Sequence, residues 1–412
     1  MKKYLVMTLL ISKLLYSQEV TLDDLLNQLD KTSYENKIFQ IKNQRDDIKK
    51  NIYKAGKYNG VNVAGDSDYK DEEKVYTMKG TLSYGDFYVQ GEKKKNQDDR
   101  ATFGVEKSLK DWVFSKEDSQ LNKLKVSRNI TELQWKQGLE NQKLNLINLY
   151  KTYKDNQFEL KLKKNALKTL EKEKKILEKS YQLDHIAKID LDSLMVTYNN
   201  INLEIKNIEQ ILNKIIGRFY YDYGITLKDK TLKDLNPRKN NLEKYISQVG
   251  EKQLQKLDLE KELTKENIKY LKYDNSIPDI SLGLERNKDE NRIFLKFSKD
   301  LFHEDIDLTD QEGTLREQEV TYTQKSQETL GERYKIQDNF YTLEKEFLVL
   351  QNRVSLEKSK YEIKKLENSL GKVSYTEVME SFDDYLQLQV QEEKAKNSLN
   401  AYIYEIIVRG EI

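Results

Sequence analysis

Gly371-Lys372-Val373-Ser374 and Ala187-Lys188-Ile189-Asp190 are the two stretches of the chain that decide its fold. They lie 184 positions apart (371 minus 187), and an apolar pair follows each at the same offset, Val378-Met379 and Leu194-Met195. A very long helix-like segment precedes each stretch. Self-similarity at a fixed distance indicates repeated architecture. The sequence therefore predicts an internal duplication.

Both stretches have the residue types of a tight turn between two helices. Ser374 and Asp190 are good N-caps, because a short side-chain oxygen can accept a hydrogen bond from the free N–H groups of a new helix. Residues 374–377, Ser-Tyr-Thr-Glu, form a complete capping box. Gly371 stands where a chain leaving a helix favours a residue that tolerates positive φ. We therefore predict helix tips at Ala187 and Gly371, each between antiparallel helices.

The composition narrows the class of protein. Of 412 residues, 37% are hydrophobic and 34% are charged, so the chain cannot fill several thick cores, but one apolar stripe per helix can still pack. The charge is nearly balanced, with 71 basic and 70 acidic residues, which argues against a nucleic-acid binder. The absence of cysteine excludes disulfides, thiolate metal sites and thiol catalysis.

The N-terminus, residues 1–17, has the pattern of an export signal. Lys2 and Lys3 are positive, residues 4–16 are mostly apolar, and Ser17 is a small residue suited to cleavage before Gln18. The apolar run is shorter than the roughly 20 residues that a membrane-spanning helix needs. No later segment is long and apolar enough either, so a location in a membrane would require strands.

The mature chain contains the same succession of elements twice. Repeat 1 is predicted over 18–224, a linker over 225–240, and repeat 2 over 241–412. In repeat 1 we expect a helix over 21–56, strands over about 60–110, a long helix over about 115–185 and a shorter helix over 190–223. In repeat 2 we expect a helix over 241–273, strands over about 279–300, a long helix over 308–370 and a shorter helix over 374–408.

Periodicity supports these elements. Apolar or aromatic residues recur every seven positions along both long helices, which indicates coiled-coil pairing with the shorter helix that follows. The positions are Leu139, Leu146, Tyr153, Leu160 and Leu167, then Phe340, Phe347, Val354 and Tyr361, and a further series Val349, Leu356, Ile363 and Leu370. In the strands the period is two, and Gly85-Asp86 is placed as a hairpin turn. Candidates for a lipid-facing surface are Ile280, Leu282, Leu284, Ile293, Leu295 and Phe297.

The number of strands limits how they can be used. One chain supplies four to six strands, whereas the smallest transmembrane barrels need about eight. Open sheet edges do not occur in lipid, because their backbone groups would lack hydrogen-bond partners. Either the strands form a soluble cap, or several chains share one barrel.

This order of elements resembles the TolC family of outer membrane efflux proteins. The most specific parts are residues 370–379 with the following helix, residues 278–282, residues 298–302, and residues 108–112 as the first-copy counterpart of the latter. The resemblance implies a mainly α fold with a small β part. It also implies a homotrimer in which each chain gives four strands to a shared transmembrane barrel of about 12 strands. Its helices would form an α-barrel tunnel through the periplasm.

The same resemblance implies a passive export conduit in the outer membrane, joined by a periplasmic adaptor to an inner-membrane transporter. Tripartite efflux and type I secretion both remain open, as do drugs, metal ions, polypeptides and small metabolites as cargo. No enzyme activity or cofactor is implied. The alternative is an exported coiled-coil adhesin or envelope structural protein, whose strands would form a soluble cap.

Few residues are candidates for chemistry. Glu377 and Glu380 share a helix face where the family carries entrance carboxylates, and the first copy has Ser193 and Val196 at the positions taken as equivalent. His185 and His303 lie in different elements without cysteine partners, so no metal site is expected. Aromatic residues could form a membrane-interface girdle or simply pack in the strands: Tyr76, Tyr84, Phe87, Tyr88, Phe103, Trp112, Phe294 and Phe297.

Overall fold

The computed structural model describes residues 18–70, 75–95, 97–183, 186–227, 230–299 and 305–411. The predicted signal segment and both histidines lie outside these residues. No helix in the described ranges is long and apolar enough to cross a lipid bilayer.

Two very long helices dominate the described chain, and each is followed by a shorter one. The long helices are α4 (Lys116–Gln182) and α8 (Ile306–Ser369), and the shorter ones are α5 (Lys188–Tyr223) and α9 (Tyr375–Gly410). Smaller helices complete the set: α1 (Leu22–Thr32), α2 (Tyr34–Ala55), α3 (Leu109–Val113), α6 (Leu242–Gln248) and α7 (Glu251–Ser276). The four predicted long and shorter helices are therefore present with end points close to those expected.

Each of the two helices predicted before the strands is interrupted. The first breaks at Ser33, whose Oγ accepts a hydrogen bond of 3.1 Å from the N–H of Asn36 and so caps α2. The second breaks at Gly250, which has a φ of +83°. A Cβ at Gly250 would overlap the side chain of Thr329 on α8, so glycine is also required there by space. A single helix over 21–56 or 241–273 was therefore the wrong prediction.

The described residues fall into two compact units. The helical unit contains the described parts of residues 1–36, 137–251 and 328–412. The strand unit contains residues 37–136 and 252–327, again as far as they are described. Both α4 and α8 begin in the strand unit and end in the helical unit.

The predicted seven-residue series contribute to the core of the helical unit. Leu139 and Leu146 of α4 are buried, and Phe340, Phe347, Val354 and Tyr361 of α8 each pack against a buried cluster. One buried cluster joins α4, α5 and α9; this tip cluster consists of Ala166, Leu170, Ile201, Ile205, Val378, Met379, Phe382 and Leu386. The further series from Val349 to Leu370 is exposed, so a second stripe of α8 has no cover within the described chain.

The segment predicted as a linker is packed rather than loose. Within it, strand β6 (Lys230–Leu232) pairs in parallel with β1 (Gln18–Val20). Tyr150 of α4 is fully buried beneath this pair, and its hydroxyl donates to the carbonyl of Lys233 at 2.6 Å. Burial is also the main cause that raises the pKa of Tyr150. The linker therefore belongs to the folded helical unit.

The strand unit contains one antiparallel sheet of six strands, in the order β2-β3-β4-β5-β7-β8. The strands are β2 (Asn62–Lys70), β3 (Val75–Tyr84), β4 (Phe87–Lys94), β5 (Arg100–Ser108), β7 (Asp279–Arg286) and β8 (Asn291–Ser298). The region over 60–110 supplies four of them, because it contains two hairpins instead of one. The four strands per chain implied by the family resemblance are therefore too few for this chain.

Candidate functional site

The six candidate lipid-facing residues lie together on one face of the sheet. Ile280 is directly opposite Phe297, Leu282 is opposite Leu295, and Leu284 is opposite Ile293. Directly opposed residues of antiparallel strands point to the same side. Leu295 and Phe297 are each 67% exposed. The hairpin of β7 and β8 thus presents three stacked apolar pairs to its surroundings.

The same face continues across the other four strands. The register joins Leu284 to Val105, Val105 to Phe87, and Phe87 to Tyr84. We call this surface the apolar face. Its members on the first four strands are Val63, Tyr69, Tyr76, Met78, Leu82, Tyr84, Phe87, Val89, Phe103 and Val105.

The opposite face of the sheet is polar and internally paired. Lys296 of β8 lies 2.6 Å from Glu106 of β5, and Arg292 lies 4.0 Å from Glu285. The hydroxyl of Tyr88 donates a hydrogen bond to Glu285 as well. We call this surface the polar face. Apolar and polar side chains that alternate along each strand give a sheet two different faces, as is typical of a sheet between two different environments.

Two of the aromatic candidates, Tyr88 and Phe294, belong to the polar face, and for them the alternative of packing within the strands applies. The ring of Tyr88 covers Gly104, and the ring of Phe294 covers Gly283, where a Cβ would overlap either ring. The other strand aromatics of the prediction lie on the apolar face, and Trp112 of α3 is 72% exposed beside Lys107. The face on which an aromatic side chain lies depends on whether its position along the strand is odd or even, since neighbouring residues point to opposite faces.

Two residues of the segment that follows α2 contact the hairpin turn between β3 and β4. Gly85 has a φ of +62°, which confirms the turn predicted at Gly85-Asp86. Asp86 is buried and accepts a hydrogen bond from the hydroxyl of Tyr58 at 2.7 Å, and it pairs with Lys57. This end of the sheet is therefore tied to the chain that enters it.

The second helix tip, between α8 and α9, has the geometry that its sequence predicts. Gly371 has a φ of +70°. The N–H of Glu377 donates to Ser374 Oγ at 3.3 Å, and the N–H of Ser374 donates to Glu377 Oε1 at 3.4 Å. These two bonds complete the capping box at the start of α9.

The first helix tip, between α4 and α5, is built differently. Ala187 is the N-cap of α5; its backbone is extended and no side chain caps the helix. Asp190 lies within the first turn, so its predicted role as N-cap is wrong. Asp190 is the third residue of α5, as Glu377 is of α9, and both helices contain 36 residues. Ser193 and Glu380 are each the sixth residue of their helix.

The charge of Glu377 is partly compensated. Lys364 Nζ lies 3.0 Å from Glu377 Oε2, and this hydrogen bond is the main cause that lowers the pKa of Glu377. Glu380 is exposed one turn later, and so is Asp384 a further turn on. The exposed stripe of α9 is polar at every position: Glu377, Glu380, Asp384, Gln387, Gln391 and Lys394.

Asp384 is the acidic residue of this stripe that the sequence analysis missed. The spacing of three and four residues from Glu377 through Glu380 to Asp384 is the helical signal that would have found it. In the part of the chain that the structure describes, neither Glu380 nor Asp384 has an ion-pair partner. These two carboxylates are thus the least compensated acidic groups of the stripe.

Beneath the second tip, one carboxylate of α4 gathers contacts from both sides of the turn. Glu173 accepts a hydrogen bond from the hydroxyl of Tyr375 at 2.7 Å and lies 3.3 Å from Lys365 Nζ. Burial, and secondarily the bond to Glu173, raises the pKa of Tyr375. These contacts hold the tip of α8 and α9 against α4.

No group of three or more metal-ligating side chains occurs within the described residues. The described residues offer a sheet with one apolar and one polar face, and helix tips with polar side chains.

Neither a known family profile nor a curated protein sequence matches this chain. Among solved structures it is similar to the CmeC outer membrane channel of Campylobacter jejuni, with a TM-score of 0.70 and 13% identity over 94% of this chain and 85% of that one. It is similar to the outer membrane protein VceC of Vibrio cholerae, with a TM-score of 0.65 and 12% identity over 94% and 95% of the two chains.

A third similar structure is the open state of the Neisseria gonorrhoeae MtrE outer membrane channel, with a TM-score of 0.64 and 11% identity over 94% of this chain and 88% of that one. The fold likeness therefore extends over almost the whole chain. The predicted resemblance to the TolC family is confirmed for the fold, which is mainly helical with a smaller sheet part.

Proposed function

We propose that this chain is one subunit of a trimeric outer membrane channel, a passive export conduit that reaches from the outer membrane through the periplasm. The observation that carries the proposal is the apolar face, which runs across all six strands of the sheet and is backed by a polar face. Transmembrane barrels place apolar side chains toward lipid and polar ones toward the lumen, strand by strand.

The two edges of the sheet support closure by further copies. Strands β2 and β8 are the edges, and the antiparallel order of the sheet makes them run in opposite directions. An edge-to-edge junction between copies would therefore continue the antiparallel pattern. Three copies would give a barrel of 18 strands (three times six). No open edge would then face lipid, where unpaired backbone groups are costly.

Charges on the polar face fit the same junction. On this face the β2 edge carries two acids and one base, Asp66, Asp68 and Lys70, whereas the β8 edge carries Arg292 and Lys296. Side chains of opposite charge on adjacent strands stabilise their pairing, and like charges oppose it. Pairing of β2 with β8 is thus favoured over pairing of two identical edges.

The two-repeat organisation over 18–224 and 241–412 is part of the proposal. We infer an offset of 187 positions (374 minus 187) from the two N-caps, rather than the 184 obtained by aligning Gly371 with Ala187. Ring contacts agree with this offset. Lys174 lies over Tyr198 at 5.5 Å from the ring centroid, and the residues 187 positions later, Tyr361 and Tyr385, stack at 6.2 Å.

The partners follow from the fold likeness and enter as proposals. An adaptor protein in the periplasm would join the helical part to an inner-membrane transporter that loads the conduit. The exposed stripe of α9 would then line or border the entrance, and Glu380 and Asp384 would be its carboxylates without an ion-pair partner.

The alternative, an exported adhesin or spacer, needs a soluble cap of strands. The exposed apolar face argues against it, because an exposed apolar surface that spans a whole sheet marks a contact with lipid or with another protein.

The deciding experiment measures how the protein is extracted from the membrane and whether it conducts ions. We expect the full chain, expressed with its signal segment in a Gram-negative host, to need detergent for release from the outer membrane. It should then show the mass of three copies and conduct ions in a planar bilayer. A chain that is released as a soluble monomer by salt or chelator alone would contradict the proposal.

A further inference from the structure

We propose that Lys360 on α8 of one copy forms an ion pair with the neighbouring copy's Glu178 on α4. The pair would set the register between copies in the helical part. This inference rests on the proposed trimer and deepens it, since it names the residues through which one copy contacts the next.

The starting observation is an ion pair inside the chain. Glu173 of α4 lies 3.3 Å from Lys365 Nζ of α8. The pair joins the long helix of the first repeat to the long helix of the second. It is therefore a contact between repeats, not within one.

The internal repeat converts this contact into a contact between copies. In a ring of three copies the order of repeats is first, second, then the first repeat of the next copy. A contact of α4 with α8 inside one chain should accordingly recur between α8 of that chain and α4 of its neighbour.

The offset of 187 positions exchanges the two charges of the pair. Glu173 corresponds to Lys360 (173 plus 187), and Lys365 corresponds to Glu178 (365 minus 187). The acid of the internal pair is thus replaced by a base, and its base by an acid. Attraction is preserved although both residue types have changed, and the long helices keep the same heptad offset from Tyr153 to Phe340.

Both side chains are accessible in the single chain. The side chain of Lys360 is 54% exposed and that of Glu178 is 45% exposed. Among the described residues, each has its ion-pair partner along its own helix, Glu357 at 2.5 Å for Lys360 and Lys174 at 3.8 Å for Glu178. An ammonium group has three donors and a carboxylate has two acceptor oxygens, so each can take a further partner.

The same offset converts two other contacts between the repeats of one chain into expected contacts between neighbouring copies. Lys394 lies 2.8 Å from Glu159, and the corresponding residues are Asn207 and Glu346, an amide donor and a carboxylate. All four residues of the carried-over pairs described so far are polar.

The buried pair of Asn397 and Asp155, at 2.8 Å, corresponds to Gln210 and Thr342. Both of these residues are exposed in the single chain and can bond to each other. One contact is not retained, because Lys188 takes the place of Tyr375 opposite Lys360. At this junction, the negative charge of Glu178 on α4 then has to balance the positive charges of Lys188 and Lys360.

Cross-linking tests the proposal on a background that has no cysteine. In the full-length Glu178→Cys/Lys360→Cys variant, a short bifunctional thiol reagent should give covalent dimers and trimers on a denaturing gel. Either single variant should give none. The Glu173→Cys/Lys365→Cys variant is the matched control, and it should cross-link within one chain without a ladder.

Charge exchange provides the second readout. Lys360→Glu should lower the temperature at which the detergent-solubilised trimer dissociates, and Glu178→Lys should do the same. The double variant should recover most of the loss. A trimer that gives no ladder and no recovery would overturn this contact while leaving the proposed channel intact. A wild-type chain that is monomeric in detergent would instead overturn the proposed function itself.

Discussion

The sheet and the helix tips differ in what decides their structure. In the sheet, a residue's position relative to its cross-strand neighbours determines its surroundings, so Leu295 and Lys296 face opposite ways although they are adjacent. At the tips, hydrogen bonds between residues three or four apart decide the geometry, as in the box of Ser374 and Glu377. The sheet is thus organised by long-range pairing and the tips by local chemistry, and their sensitivity to substitution should differ accordingly.

The two tips also differ from each other. The second has a capping box, a glycine at positive φ and the ion pair of Lys364 with Glu377. The first has Ala187 as an uncapped start. The comparison indicates that a helix can begin with or without a side-chain cap, because packing of the helix against its neighbours supplies most of its stability.

The largest effect is expected at the apolar face. Leu295→Arg should strongly reduce the yield of assembled trimer, since a charge on a lipid-facing strand costs about 2–4 kcal/mol near the membrane midplane. Lys296→Gln is the matched control, because it lies on the polar face and can still bond to Glu106. Heat-resistant oligomer in outer membranes is the measurement. Similar yields from the two variants would remove the assignment of the apolar face to lipid.

An intermediate effect is expected where rings cover glycines on the polar face. Gly283→Val should destabilise the sheet by about 1–3 kcal/mol, because the new side chain would overlap the ring of Phe294. Gly91→Val serves as the control, since an added Cβ there meets no described atom within 4 Å. Thermal unfolding of the detergent-solubilised protein should separate the two variants. If Gly91→Val were the more damaging, the assignment of faces would be reversed.

A smaller effect is expected at the tips, and its sign should differ between them. Ser374→Ala removes a side-chain cap and should cost about 1 kcal/mol locally, whereas Ala187→Ser adds a cap and should stabilise the start of α5. Hydrogen exchange of the first-turn amides of α5 and α9 measures both changes. Equal exchange of the variants and the wild type would show that neither tip depends on its cap.

Substitutions along the exposed stripe of α9 should change protein stability least. They should instead change the ion selectivity of the channel. Carboxylates around a narrow mouth concentrate a negative potential that attracts cations. Glu380→Gln should therefore lower cation selectivity in a planar bilayer more than Glu377→Gln, whose charge is already paired with Lys364. The reverse order would place Glu377 rather than Glu380 nearest to the permeation path.

Local features of the fold were predictable from the sequence. The capping box at Ser374, the turn at Gly85 and the apolar alternation from Ile280 to Phe297 depend on residues only a few positions apart. The seven-residue series of α4 and α8 were also evident, because helical periodicity places each series on one face. The family resemblance rested on these same elements.

Other features depended on contacts that the sequence does not display. The break at Gly250 is fixed by the close approach of Thr329, and the packed linker by the buried hydroxyl of Tyr150. The true start of α5 at Ala187 was obscured because a favourable cap residue, Asp190, lies three positions later.

The sequence by itself determined the helices α4, α5, α8 and α9, the period of the strands and the kind of fold, since these follow from propensity, capping and periodicity over short distances. Only the tertiary structure decided that the described sheet has six strands, that Tyr88 and Phe294 belong to the polar face, and that Asp190 lies within the first turn of its helix. The physical reason is that register and parity are set by hydrogen bonds between distant strands and by packing between helices. A shift of one residue there leaves the local pattern unchanged but moves every side chain to the other face.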